Sequence, residues 1–136
     1  MKINAYLHYN GNCADALAFY EQVFNGKVIF QQTFGESPMK DDFGPELQNG
    51  IMHATLQIGD DIIHASDSPP GMFKTPQGFS ISYATTDTVA AERIFAALAE
   101  GGNVFMPLAP TFWAERFGMV TDRFGIPWMI NCDKPA

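Results

Sequence analysis

Residues 111–131 read TFWAERFGMVTDRFGIPWMIN. This stretch predicts two strands joined by a tight Asp-x-x-Gly turn at residues 122–125, with aromatic side chains spaced along both strands. An earlier strand–turn–strand occupies residues 53–67, and a helical stretch followed by Gly-x-Val precedes each of the two. The chain therefore uses one plan twice. Such a repeat favours a small-molecule cavity between the two copies as the first hypothesis.

The two predicted helices mark the repeat most clearly. Phe19 and Phe95 occupy matching points within them, with apolar side chains at helical spacing around each. We therefore predict an α+β fold in which a βαβββ module occurs twice. The first module spans residues 1–70 and the second spans residues 71–136, within one compact domain.

Each predicted helix begins at a candidate N-cap. Asn12 would cap the first helix and Asp87 the second, because their side-chain oxygens can accept from free backbone N–H groups. Cys13 would lie in the first turn, where the helix dipole lowers the pKa of a thiol. No orienting base is identifiable for it, so a buried structural thiol is the favoured interpretation. The two cysteines form no CxxC motif, which is typical of reduced thiols in a cytosolic protein.

Two stretches predict irregular structure. Residues 34–50 are rich in Gly, Pro, Asp and Ser and predict a long exposed loop. Residues 67–71, Asp-Ser-Pro-Pro-Gly, predict a linker between the modules.

The overall composition restricts the classes of partner. Of 136 residues, 46% are hydrophobic and 17% are charged, which is enough apolar material for a core. The formal net charge is −7 and the eight basic residues form no run, so we expect neither a nucleic-acid nor a membrane partner. No apolar stretch approaches the roughly 18 residues of a membrane span. The N-terminus has no apolar stretch of signal-peptide type, so we expect a cytoplasmic protein.

One strand carries an unusual polar face. Along residues 51–58, apolar side chains alternate with a set that includes His53 and Thr55. A two-residue turn after this strand would place His64 on the same face as His53. A three-residue turn would place His64 on the opposite face. Tyr6 and His8 of the first strand are candidates to join them.

Three interpretations of this face stay open. It could be a solvated face of an antiparallel sheet. It could line a pocket for an organic ligand, with His8, His53, Thr55 and His64 as ligand-binding residues and Trp113 at the mouth. It could hold a metal through the three histidines, since imidazole suits Zn, Ni, Mn or Fe. The chain contains no HExxH, CxxC, HxH, GxGxxG or P-loop motif, so no standard metal or phosphate site is readable.

Three segments carry a resemblance to a known family. They are residues 11–16 leading to Phe19-Tyr20, His53-Ala54 with the hairpin that ends in Ser66-Asp67, and residues 112–131 with Asp122-x-Phe124-Gly125-x-Pro127-Trp128-Met129-Ile130-Asn131. Together they resemble the vicinal-oxygen-chelate superfamily of glyoxalase I, bleomycin-resistance proteins and extradiol dioxygenases, and within it the PhnB-like branch. The resemblance implies eight strands in two modules, a curved mixed sheet around a U-shaped cavity, and commonly a homodimer.

The resemblance also implies four positions at which metal-using members carry ligands. Here they fall near residues 4–6, on His53, near Ser80, and on Met129, where a glutamate is usual. Methionine is a soft ligand and does not replace a carboxylate for a hard divalent ion. Only His53 is therefore predicted as a metal ligand.

These observations lead to one favoured function and two alternatives. We expect a protein that binds a small organic molecule in a cavity between paired modules, and the sequence assigns it no definite cofactor. The first alternative is a metal-dependent lyase, isomerase or dioxygenase that uses a divalent Zn, Ni, Mn or Fe ion on His53 with His8 or His64. The second is a dimeric structural or regulatory protein with a vestigial cavity. PhnB-like proteins often carry a demethylubiquinone methyltransferase label. We do not expect that activity, because the chain has no glycine-rich strand-to-helix loop.

Overall fold

In the computed structural model, residues 1–135 are described, and they divide into two compact units, one ending at Lys74 and one starting at Thr75. The elements of the first unit are β1 (Ala5–Tyr9), α1 (Cys13–Phe24), β2 (Lys27–Thr33), β3 (Ile51–Ile58) and β4 (Asp61–Asp67). Those of the second are β5 (Ile81–Thr85), α2 (Thr88–Ala99), β6 (Asn103–Ala109), β7 (Ala114–Thr121) and β8 (Pro127–Asp133). The predicted α+β fold with two βαβββ modules is confirmed.

Both units have the same sheet topology. The strand orders are β1-β4-β3-β2 and β5-β8-β7-β6. In each sheet the first and last strands of the module pair in parallel, and the other neighbours pair antiparallel. Antiparallel neighbours can be joined by short turns, whereas a parallel pair needs a long crossover, which here includes the helix. No helix within residues 1–135 has the length and apolar character needed to cross a membrane.

The core of the first unit lies between α1 and one face of its sheet. The helix buries one stripe of side chains, Cys13, Ala16, Leu17, Tyr20, Val23 and Phe24. The sheet contributes Leu7, Tyr9, Ala54, Leu56, Ile63 and Ala65. Full burial of an aliphatic or aromatic side chain of this size stabilises the fold by about 1.5–3 kcal/mol. The helix therefore covers one face of the sheet and leaves the other face for function.

The start of α1 is held by a residue distant in sequence. Asn12 occupies the N-cap position, as predicted, but its side chain makes no capping hydrogen bond. Instead Asp67, the last residue of β4, accepts from the N–H groups of Gly11 and Cys13 at 2.9 and 3.0 Å, and from that of Ile51 at 2.8 Å. Burial, and then the charge of Asp67, raise the pKa of Cys13 to about 12. The expectation of a lowered thiol pKa was wrong, because desolvation outweighs the helix dipole.

Residues 34–50 are more ordered than the predicted exposed loop. Two short 3₁₀ turns form within them, and the side chains of Phe34, Ser37 and Leu47 are buried. The ring of Phe34 meets that of Phe43 edge-on, with centroids 4.6 Å apart. These apolar anchors hold the segment against the first unit.

In the second unit, the predicted turn at residues 122–125 is confirmed. Gly125 has a φ of +90° and donates its N–H to the carbonyl of Asp122 at 2.9 Å. The Asp122 carboxylate accepts from the indole N–H of Trp128, also at 2.9 Å, which satisfies the polar end of a fully buried ring. Asp87 caps α2 as predicted, since its carboxylate accepts from two backbone N–H groups of the first turn.

Candidate ligand-binding site

The sheet face of the first unit that α1 leaves uncovered gathers the residues singled out above. Ile58 pairs with Asp61, so the β3–β4 connection is a two-residue turn and Thr55 lies opposite His64. The parallel β1–β4 pairing then sets Tyr6 beside His64. We call the set Tyr6, His8, His53, Thr55 and His64 the imidazole face. The expectation that a two-residue turn would bring His53, Thr55 and His64 to one face is confirmed by this register.

Four of these side chains form a continuous hydrogen-bonded chain. The hydroxyl of Tyr6 lies 3.3 Å from Nδ1 of His53. On the other side of that ring, Nε2 lies 3.4 Å from Oγ1 of Thr55. Oγ1 of Thr55 also lies 3.2 Å from Nδ1 of His64. Thr55 therefore bridges the two imidazoles, and both nitrogens of His53 are engaged.

The rings on this face also lie close together and nearly aligned. The centroids of His53 and His64 are 5.1 Å apart with planes 28° from parallel, and Tyr6 lies 5.0 Å from His8. Phe30, on the neighbouring strand β2, lies 5.8 Å from His53. Tyr6 remains 42% exposed and Phe30 49% exposed. The face thus presents accessible aromatic surface beside polar ring atoms.

The environment of His53 favours its neutral form. Burial lowers the pKa of His53 below its ordinary value, and the charge of nearby His64 lowers it further. Both causes act against protonation of the imidazole. A neutral imidazole keeps one nitrogen as a donor and the other as an acceptor, and the hydroxyls of Tyr6 and Thr55 can pair with either.

A cleft of about 510 Å³ adjoins this face. It is lined by aromatic, thioether, hydroxyl and charged side chains, namely His8, Phe34, Phe43, Met52, Ser66, Asp67, Ser68, Pro69, Met72 and Lys74. His8 lies on both surfaces, and it pairs across β1–β4 with Ser66, which also lines the cleft. The imidazole face and the cleft are therefore continuous. No local sequence pattern indicated the cleft, because its apolar lining comes from separate segments, with Phe34 and Phe43 from residues 34–50 and Met52, Pro69 and Met72 from elsewhere.

The residues present do not fit the metal site that the resemblance implies. Of the four implied positions, only His53 offers an imidazole or carboxylate, and Ser80 and Met129 stand at the two that fall in the second unit. Across residues 1–135, no three His, Cys, Asp or Glu side chains come close enough together to hold an ion. A stable site of this kind needs at least three protein donors.

Trp113 belongs to the second unit, where it precedes β7. Its indole is 48% exposed and meets the rings of Phe112 and Phe117 edge-on, at 4.8 and 5.2 Å. The structure thus brings four of the five predicted ligand-binding residues together on the imidazole face, and Trp113 stays a prediction. Phe30 was missed, although the β2–β3 pairing of Phe30 with Thr55 places it at this face.

Comparison with known proteins settles the family. Residues 1–131 match the family model described as 3-demethylubiquinone-9 3-methyltransferase. The chain belongs to this family. Protein YjdN of Escherichia coli K12 is 34% identical to this family member over 142 residues, covering 98% of the chain and 97% of YjdN.

Solved structures of similar proteins share the fold. Protein PA1353 from Pseudomonas aeruginosa is 44% identical, with 99% of both chains covered and a TM-score of 0.90. A Bacillus cereus protein described as a putative 3-demethylubiquinone-9 3-methyltransferase, PhnB protein, is 23% identical, with 97% of this chain and 99% of that one covered and a TM-score of 0.81. The predicted membership of the PhnB-like branch of the vicinal-oxygen-chelate superfamily is confirmed.

Proposed function

We propose that the first unit binds a small organic molecule with a planar, unsaturated part on the imidazole face, and that the molecule extends into the adjoining cleft. The observation that carries this proposal is the continuity of the two surfaces through His8 and Ser66. A volume of about 510 Å³ lies within the roughly 300–1,000 Å³ range typical of small-molecule sites.

The chemistry of the two surfaces supports a ligand of this class. Tyr6, Phe30 and the imidazoles offer ring faces, which favour stacking with planar groups. Met52 and Met72 in the cleft supply flexible, polarizable side chains that adapt to an apolar body. The hydroxyl and ring nitrogen atoms can orient a polar group by hydrogen bonds. A few polar groups on an otherwise apolar wall are the usual basis of specificity.

Methyl transfer, the activity in the family's description, is not the function that this geometry supports best. Each unit has a mixed four-stranded sheet with one helix. Nucleotide-type cofactors are instead typically held at the glycine-rich turn of a doubly wound parallel sheet.

A ligand screen with matched variants tests the proposal. Thermal shifts would be measured against planar aromatic acids, phenols and unsaturated ketones for the native chain, for His64→Ala and for Gln22→Ala. Gln22 is an exposed residue of α1 and serves as the control. We expect stabilisation by at least one class, lost in His64→Ala and kept in Gln22→Ala. No response to any class would refute binding and favour a structural dimer with a vestigial cavity.

We also propose that the chain forms a homodimer. The support is the exposed apolar surface on two edge strands, Ile29, 50% exposed, on β2 and Phe105, 75% exposed, on β6. Unpaired edges with large apolar side chains are favourable association surfaces. Light scattering should give twice the chain mass of 15.0 kDa. Phe105→Asp should shift the mass toward one chain, and a native monomer would refute the proposal.

A further inference from the structure

We propose that Tyr6, His53, Thr55 and His64 form a proton relay, and that this relay catalyses a proton shift between two positions of a bound carbonyl or enol compound. The inference rests on the proposed binding function of the imidazole face. It adds an activity, a keto–enol type isomerisation, in which side chains of the protein act as acid and base.

Thr55 has a single hydroxyl proton, and this gives the row of hydrogen bonds from Tyr6 to His64 a direction. Thr55 Oγ1 lies between Nε2 of His53 and Nδ1 of His64, at 3.4 and 3.2 Å. If Thr55 donates to His64, it must accept from His53, because a hydroxyl has one proton. His53 then carries its proton on Nε2, and its Nδ1 accepts from the Tyr6 hydroxyl at 3.3 Å. Reversing Thr55 reverses every bond in the chain.

The two orientations therefore fix the tautomers of both histidines together. When Thr55 donates to His64, both neutral imidazoles carry their proton on Nε2. When Thr55 donates to His53, both carry it on Nδ1, and the Tyr6 hydroxyl is free to donate outward. A chain with only two concerted states is what a relay requires, since it can take a proton at one end and release another at the other end.

The proton shift balances without any further reactant. In the second orientation, Nε2 of His64 has a free lone pair and takes the enol O–H proton of the ligand. The Nδ1 proton of His64 passes to Thr55, the Thr55 proton passes to His53, and the Nδ1 proton of His53 passes to Tyr6. Tyr6 gives its own proton to the ligand carbon, where the former C=C electron pair forms the new C–H bond. The ligand becomes the ketone, and the four hydrogen-bonded residues are left in the first orientation. Proton exchange with solvent water returns them to the second orientation.

Burial alone does not account for this arrangement. Tyr6 is 42% exposed and the two histidines are half-buried, so water could satisfy their polar atoms. Hydrogen bonds nevertheless link Tyr6, His53 and His64 in one line through Thr55, which is 9% exposed. Hydrogen bonds of 3.2–3.4 Å are longer than the usual catalytic range. Catalytic hydrogen bonds are often long in a ligand-free protein and tighten when the reacting molecule binds.

A nuclear magnetic resonance experiment tests the relay in the protein without ligand. Long-range ¹H–¹⁵N spectra of histidine-labelled protein at pH 8 report which ring nitrogen carries the proton. We expect the same tautomer for His53 and His64 in the native chain and in Thr55→Ser, and independent tautomers in Thr55→Val. Tyr6→Phe, which keeps the ring, should change the tautomer population of His64 although Tyr6 has no hydrogen bond to it. Opposite tautomers in the native chain, or no response of His64 to Tyr6→Phe, would overturn the relay.

A kinetic experiment tests the activity, with the enol of phenylpyruvate as the probe and its ketonisation followed by ultraviolet absorbance. General acid–base groups contribute about 100-fold or more, so Thr55→Val and Tyr6→Phe should each lower kcat by about that factor with little change in KM. Thr55→Ser should lose less than Thr55→Val, and Gln22→Ala should match the native chain. No acceleration by the native chain would overturn the activity. If phenylpyruvate binds but its ketonisation is not accelerated, the proposed activity is overturned and the proposed binding function stands.

Discussion

Replacement of Asp67 by alanine should destabilise the first unit more than any other single loss of a polar group in it. Asp67 is 3% exposed, and its carboxylate accepts three backbone hydrogen bonds, from Gly11, Cys13 and Ile51. These donors belong to the β1–α1 turn, the first turn of α1 and the start of β3. One side chain at the end of β4 therefore holds two segments that are distant in sequence, residues 11–13 and the start of β3.

The magnitude follows from the number and kind of bonds lost. A hydrogen bond to a charged group contributes about 1.5–3 kcal/mol, and a buried donor left without a partner costs about 1–3 kcal/mol. Removal of the carboxylate also removes the cost of burying its charge, and water can reach part of the space. We therefore expect Asp67→Ala to lower the free energy of unfolding by about 3–5 kcal/mol, a large share of the roughly 5–15 kcal/mol of a typical domain. Asp67→Asn keeps the shape and one acceptor oxygen, so its effect should be intermediate.

Urea denaturation followed by circular dichroism measures this effect. The matched control is Asp133→Ala, since Asp133 ends β8 as Asp67 ends β4 but is exposed. Exposed substitutions of this kind usually change stability by within about 0.5 kcal/mol. A loss below about 1 kcal/mol for Asp67→Ala, or equal losses for the two variants, would show that the three N–H groups find other partners and would refute the reasoning.

Three further outcomes are expected. Because burial and His64 lower the pKa of His53, the folded state binds fewer protons on that ring than the unfolded state does. Stability should therefore fall as the pH drops below about 6.5. His64→Gln should raise the pKa of His53 in an NMR titration. An unchanged pKa of His53 would contradict the assigned charge effect of His64. Cys13, with a pKa of about 12, should resist maleimide at pH 7.5 until the protein is unfolded, and rapid labelling of the native chain would contradict its burial. Gly118→Ala would place a Cβ 2.9 Å from the backbone of Leu108. The midpoint of urea unfolding should therefore fall by an amount corresponding to about 1–3 kcal/mol. An unchanged midpoint would show that β6 can move aside.

Much of the fold could be predicted from the sequence because its signals are local. The Asp-x-x-Gly turn at residues 122–125, the cap at Asp87 and the strand 51–58 each depend on neighbouring residues. The face shared by His53 and His64 was one of two alternatives, and the two-residue turn between Ile58 and Asp61 decides it, because such a turn fixes the register of an antiparallel pair.

The features that were missed depend on contacts between distant segments. Nothing near Asp67 indicates that it caps α1, because its partners Gly11 and Cys13 lie 56 and 54 residues earlier. Tyr6 was only a candidate for this face, because its place beside His64 depends on the parallel β1–β4 register, which no turn encodes. The burial of Phe34 inside a stretch rich in Gly and Pro likewise comes from tertiary packing, which composition does not report.

The most direct test of the central claim is a map of where a ligand binds. Histidine side-chain and backbone ¹H–¹⁵N signals would be recorded during titration with the planar acid or ketone that gives the largest thermal shift. The account predicts saturable changes at His53 and His64, and at backbone signals of β3 and β4. Saturable changes confined to other residues, with both imidazole signals unmoved, would contradict the assignment of the imidazole face as the binding site.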